Sequence, residues 1–137
     1  MALDVRGVVT LLQVYDMPAS VHFYRDLLGF KVVNTSPDLG GGRFHWALLR
    51  LGEAELMLNT RYEFDEERPI PPDGARVAAH EDTCLYFACP NVDAVYEELS
   101  AKGVKAQEPA TSGYGMRQVY LQDPDAYALC FQWPAKS

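Results

Sequence analysis

One small unit occurs twice along the 137-residue chain, and that duplication restricts the folds open to it more than any other feature. The first copy opens with an apolar run at 8–15, passes through Asp16-Met17-Pro18 into a helical pattern at 19–28, and stops at Gly29-Phe30. The second opens at 84–89, turns at Pro90-Asn91-Val92, carries its helical pattern at 93–102 and stops at Gly103-Val104. Each copy then continues into a short strand, a glycine-rich loop (Gly40-Gly41-Gly42; Gly113-Tyr114-Gly115) and a hairpin, so both halves read βαβββ. The expected fold class is α+β, with two tandem βαβββ modules whose curved, largely antiparallel sheets surround a cleft. Module one is expected at 7–60, a linker at 61–82 and module two at 83–134, all in a single domain.

The stretch 60–82 is the only long irregular one, rich in Pro69, Pro71 and Pro72 and in Glu63, Asp65, Glu66 and Glu67. It is either a passive spacer or, given Tyr62 and Phe64, a flap over the mouth of a pocket. Apolar residues make up 48% of the chain, enough for one compact core. No stretch reaches the length of a membrane span, and Met1-Ala2-Leu3-Asp4 lacks the order of a signal peptide, so no membrane partner and a cytoplasmic location are expected. Cys84, Cys89 and Cys130 are odd in number and have no CxxC spacing, which suits reduced thiols. A net charge of −7 argues against nucleic acid and is compatible with a cationic ligand.

The turn residues set the strand register. Gly52-Glu53 lies between runs at 44–51 and 54–59 and suits a two-residue type II′ hairpin turn. Leu51 then faces Ala54, followed by Arg50 with Glu55, Leu48 with Met57 and Trp46 with Asn59. Alternation puts these residues on one face and Ala47, Leu49, Leu51, Leu56 and Leu58 on the other, under Val21, Tyr24, Leu27 and Leu28 of the first helix. In module two, Leu85, Phe87, Val119, Leu121, Leu129 and Phe131 should pack under Val95, Tyr96 and Leu99. Cys84, Tyr86, Gln118, Tyr120, Cys130 and Gln132 are left on the opposite face.

The segments Phe23-Tyr24-Arg25-Asp26-Leu27-Leu28-Gly29-Phe30 and Asp123-Pro124-Asp125-Ala126-Tyr127, set in the duplicated frame, resemble the vicinal-oxygen-chelate superfamily. That group includes glyoxalase I, extradiol dioxygenases and bleomycin-resistance proteins, and the resemblance runs over roughly residues 7–133. In its metal-using members the ligands come from the first and last strands of each module and are usually His, Glu or Gln. The matching positions here carry Val9, Met57, Cys84 and Cys130, and with Val9 inward Leu11 and Gln13 share its face. Valine cannot ligate, and a thioether with two thiols is too soft for the divalent ions of this chemistry, so neither metal nor cofactor is expected. Among the histidines, His22 falls on the helix surface, His45 on the helix-packing side and His80 in the linker, and no catalytic triad can be drawn.

The cavity-side set is aromatic and amide: Trp46, Tyr86 and Tyr120 with Gln13, Asn59, Gln118 and Gln132, joined by Glu55. Rings supply stacking area and amides both donate and accept, which suits a planar ligand. Amides in a dry core would each cost on the order of 1–3 kcal/mol unless paired, which favours a wet cleft over a closed core. Arg50 and Glu55 form a cross-strand ion pair or orient a ligand, and Cys84 and Cys130 are apolar filler or reactive thiols. Two functional readings stand. The first is a metal-free protein of the bleomycin-resistance type that sequesters a small aromatic or cationic compound. The second is an enzyme of the same superfamily, either a metal-dependent lyase or dioxygenase or a metal-free one. A homodimer is expected, with contacts at strand edges and at the loops 37–43 and 112–116.

Overall fold

Ala47, Leu49, Leu56 and Leu58 alternate along two strands joined by Gly52-Glu53, so their burial calls for a cover on one side only. In the computed structural model, which describes residues 2–60, 62 and 65–136, all four are buried. The chain divides into two compact units, Met1–Arg68 and Pro69–Ser137. The first contains β1 (Thr10–Val14), α1 (Met17–Val21) running on as a π-helical turn (His22–Leu27), β2 (Lys31–Thr35), β3 (Trp46–Leu51) and β4 (Ala54–Thr60). The second contains α2 (Gly74–His80), β5 (Cys84–Ala88), α3 (Val92–Ala101), β6 (Ala110–Thr111), β7 (Met116–Gln122) and β8 (Ala128–Pro134). The strand orders are β1-β4-β3-β2 and β5-β8-β7-β6, each with one parallel pair and two antiparallel pairs. The duplication in the sequence is thus a duplication of topology.

The register of β3 and β4 is the one the Gly52 turn predicts: Leu51 opposite Ala54, Arg50 opposite Glu55, Leu48 opposite Met57 and Trp46 opposite Asn59. Gly52 has φ +58°, the value a type II′ turn requires at its first central position. The helical cover contributes Val21 and Tyr24, both buried, while Leu27 and Leu28 are half-buried. Tyr24 has no exposure and is held between Phe23 and Phe30, edge to face, with ring centroids 5.1 and 5.6 Å away. In the second unit α3 lies against β7 and β8; its Leu99 is buried, as are Val119, Leu121, Leu129 and Phe131 of those strands. Leu85, Phe87, Val95 and Tyr96 are half-buried.

The helix starts follow capping chemistry. Asp16 accepts a hydrogen bond from the Ala19 amide at 3.5 Å, and Pro18 sits in the first turn, where a missing N–H costs nothing. The first helix therefore begins at Met17, two residues before the apolar pattern. At its other end the Leu28 amide donates to the Phe23 carbonyl, a five-residue step that widens the turn. Asn91 caps α3 through the Ala94 amide at 3.2 Å.

Two expectations need correction. The stretch 60–82 is not irregular throughout: it holds a 3-10 turn at Asp65–Glu67 and the helix α2, whose Asp73 cap accepts from the Ala75 and Arg76 amides. The short strand expected after Gly103 is β6, two residues long, and before it Ala106 pairs with Leu121 through an isolated bridge. β3 begins at Trp46 rather than at 44, since the His45 and Trp46 amides are taken by the Ser36 hydroxyl. The turn 123–127 ties the second unit together. The Asp123 carboxylate accepts from the Asp125 and Tyr127 amides, both at 2.9 Å, and the His80 ring stacks on Tyr127 at 4.1 Å while its Nδ1 donates to the Asp125 carbonyl.

Candidate functional site

The face of each sheet turned away from its helix carries the chemistry. In the second unit, Tyr86, Cys130 and Tyr120 lie side by side across β5, β8 and β7, followed by the pair Gln132 and Gln118. The phenol oxygens of Tyr86 and Tyr120 are 3.2 Å apart, and the rings meet edge to face, 84° between planes and 6.3 Å between centroids. Beneath them Cys130 has no exposure, and its thiol donates to the Phe131 carbonyl at 3.9 Å, while Cys84 is half-buried. Burial pushes both thiols up, and the bond to Tyr86 followed by desolvation pushes the Tyr120 phenol up as well. Tyr120, Cys84 and Cys130 are thus neutral at pH 7.

The amide pair below is satisfied within itself. Gln118 is 7% exposed, and its Nε2 donates to the Tyr114 hydroxyl at 2.8 Å and to Gln132 Oε1 at 2.9 Å. Tyr114 was not among the residues expected at the site. Its signal was an aromatic between two glycines on an otherwise featureless loop, and its own ring remains 70% exposed. A groove of about 860 Å³ runs along β7, bordered by Lys105, Gln107, Tyr120, Gln122, Asp123 and Ala128.

The first unit presents Trp46, Leu48 and Arg50 beside Asn59, Met57 and Glu55, with Leu11 and Gln13 on β1 in line with Met57 and Asn59. Arg50 donates to Glu55 at 2.9 Å, and Asn59 donates to Gln13 Oε1 at 3.4 Å and to the Thr60 carbonyl at 3.0 Å. The eight expected ligand residues therefore fall into two groups of neighbours, Gln13, Trp46, Glu55 and Asn59 on one sheet and Tyr86, Gln118, Tyr120 and Gln132 on the other.

A separate cavity of about 330 Å³ opens at the end of the first sheet, lined by Tyr15, Met17, Arg43, Phe44, His45 and Tyr62 among others. His45 thus reaches a pocket wall that the first helix's Met17 and Pro18 also line, with its Nδ1 3.4 Å from the Thr60 hydroxyl. Arg68 lies over the Tyr15 ring at 4.7 Å and pairs with Asp16 at 3.4 Å, while Arg43 pairs with Asp65 at 2.9 Å, so the segment after β4 is fastened here. Tyr62 belongs to this cavity; Phe64 lies outside the described residues. His22 pairs with Asp26 at 2.9 Å on the exposed side of the first helix.

The sequence profile of the Glyoxalase/Bleomycin resistance protein/Dioxygenase superfamily matches residues 7–131. The chain belongs to that superfamily. A relative in Bacillus subtilis (strain 168), the uncharacterized protein YraH, is 28% identical over 116 residues, covering 83% of this chain and 87% of YraH. Among solved structures, TnmS3, an antibiotic binding protein from Streptomyces sp. CB03234, superposes with a TM-score of 0.69 at 23% identity over 97% of this chain and 99% of its own. The bleomycin-binding protein from bleomycin-producing Streptomyces verticillus, complexed with copper(II)-bleomycin, gives 0.67 at 21% identity over 98% and 99%. These likenesses concern the fold.

The metal used by some members of the superfamily does not fit this chain. The positions that the family resemblance assigns to its ligands hold Val9, Met57, Cys84 and Cys130: one hydrocarbon, one thioether and two thiols. Hard and borderline divalent ions favour oxygen and imidazole donors, and among the described residues no group of three or more His, Cys, Asp or Glu side chains converges. No helix among them is long and apolar enough to cross a membrane.

Proposed function

We propose that this protein binds a small planar aromatic compound without a divalent metal, in the manner of antibiotic sequestration, and catalyses nothing on it. The observation that carries the reading is the uncharged face of the second sheet: two phenols, a buried and a half-buried thiol and a self-paired amide couple beside a groove of about 860 Å³. Such a surface offers ring edges for stacking and hydroxyl and amide groups for orientation. Nucleophilic or acid–base chemistry needs a thiolate or a base poised near pH 7, whereas these thiols and the Tyr120 phenol are held protonated. Two structural neighbours whose own names describe antibiotic binding share the fold. The chain's net charge of −7 adds a field that favours a cationic substituent on the ligand.

Trp46, Glu55, Asn59 and Gln13 are the corresponding contacts proposed on the first sheet, with Trp46 as stacking platform. The test is isothermal titration of the protein with metal-free bleomycin, copper(II)-bleomycin and a panel of planar aromatic antibiotics. Binding of at least one compound is expected, weakened by about 1–3 kcal/mol in Tyr120→Ala, the range that ring-on-ring stacking supplies. Heat of binding that is unchanged in both Tyr120→Ala and Trp46→Ala would place the ligand elsewhere and sink the reading.

A further inference from the structure

The cavity at the end of the first sheet is walled by side chains that take no part in either open face. At about 330 Å³ it lies at the small end of ligand pockets, with room for one ring and a short chain. Three half-buried rings, Tyr15, Phe44 and Tyr62, line it together with Met17 and Pro18, so a bound molecule meets mostly apolar surface.

Charge decides what kind of molecule fits. Four ionised side chains close on themselves here: Arg43 pairs with Asp65 at 2.9 Å and stands 4.0 Å from Asp16, while Arg68 reaches Asp16 at 3.4 Å and Asp65 at 3.3 Å. Two cations and two carboxylates cancel. Glu66 also lines the cavity and has no ion pair among the described residues, which leaves one carboxylate uncompensated. Arg43, the cation that lines the wall among the described residues, is committed to Asp65, so an anionic ligand finds no counter-charge. His45 adds an acceptor. The Thr60 hydroxyl donates its one proton to the Tyr62 carbonyl at 3.1 Å, so towards His45 Nδ1, 3.4 Å away, it can only accept. The neutral imidazole therefore carries its proton on Nδ1, and Nε2 is left to accept.

We infer that this cavity binds a small organic cation, a primary ammonium group joined by a short chain to one aromatic ring. Glu66 is the counter-ion, and the rings of Phe44 and Tyr62 supply contact for the ligand ring and for the fringe of its charge. Arg68, over the Tyr15 ring at 4.7 Å, already shows a cation held on an aromatic of this wall. The net charge of −7 draws cations towards the chain. The site uses none of the residues proposed above for the planar ligand and is independent of that reading.

The experiment is titration of the isotope-labelled full chain with phenethylamine at pH 7, followed by backbone amide shifts. Two probes with the same ring are titrated beside it, neutral phenethyl alcohol and anionic phenylacetate. The amine should bind about fivefold more tightly than the alcohol, the order that an ion pair open to solvent supplies, and phenylacetate should bind least. Shifts should centre on Phe44, His45 and Thr60. Glu66→Gln should bring the amine down to the affinity of the alcohol; Glu66 is exposed, and an otherwise unchanged spectrum verifies the fold. Phe44→Ala should weaken amine and alcohol alike. Absence of saturable amine binding at millimolar concentration, phenylacetate bound as well as the amine, or amine affinity unchanged in Glu66→Gln overturns the inference. Shifts confined to Tyr86, Tyr120 and their neighbours would also overturn it, while supporting the aromatic face of the second sheet. Failure of the antibiotic panel to bind, with the amine shifts at Phe44 intact, would sink the planar-ligand reading alone.

Discussion

Ala126 is the only non-glycine residue with positive φ among those described, at +69°, and it sits in the turn where Asp123 gathers the Asp125 and Tyr127 amides. An L-residue in that region loses about 1–2 kcal/mol, part of which glycine returns as extra freedom of the unfolded chain. Ala126→Gly should therefore raise stability by about 0.5–1 kcal/mol, readable as a higher urea midpoint at unchanged slope; a lower midpoint would show that the methyl group packs usefully. A second residue-scale effect belongs to Asp26. Hydrogen bonds from Arg25, then His22, lower its carboxyl from 3.8 to about 2. A depressed folded-state value means a contribution present above the unfolded value and lost as pH falls through about 2. Wild type and Asp26→Asn should thus differ in thermal midpoint at pH 6 and converge towards pH 2. Equal midpoints at both pH values would show that the pair contributes nothing.

Among the elements, the β3–β4 hairpin controls which side chains reach the open face, since a slip of one residue would send Trp46 under the helix and bring His45 outward. Gly52 holds that register at φ +58°, and a methyl group there would meet nothing within 4 Å. Gly52→Ala should consequently cost about 1–2 kcal/mol through backbone strain alone, measured by denaturant unfolding. This hairpin was legible from the sequence because turn chemistry and strict alternation agreed. The helix α2 was not: Pro69, Pro71 and Pro72 dominate its surroundings, and none of its residues is fully buried. Its position is fixed by a contact 45 residues away, the His80 bond to the Asp125 carbonyl, which no local pattern announces. The Tyr114 contact with Gln118 escaped reading for a different reason, because the glycines that flank it signal a loop and say nothing of where its ring points.

At the scale of the whole molecule, both sheets end in edge strands that pair on one side only among the described residues, β1 and β2 in one and β5 and β6 in the other, and each sheet carries a mixed face. Open edges and open faces invite a second copy, and a symmetric pair covers them with one self-complementary surface. We propose a homodimer, to be checked by sedimentation at micromolar concentration. A single species at the monomer mass of 15.3 kDa would count against it. The net charge of −7 bears on partners rather than on fold, and a dimer doubles the field it creates.

The sequence by itself determined the duplicated βαβββ order, the register at Gly52 and the division of each sheet into a packed and an open face. All of these follow from period and turn chemistry, which are local properties. Only the tertiary structure decided that the Tyr86 and Tyr120 phenols meet beside Cys130, that Gln118 meets Tyr114, and that His45 opens onto a pocket. Those juxtapositions depend on parallel pairing between strands some 40 residues apart and on the path of loops, and chain separation leaves no periodic trace of either.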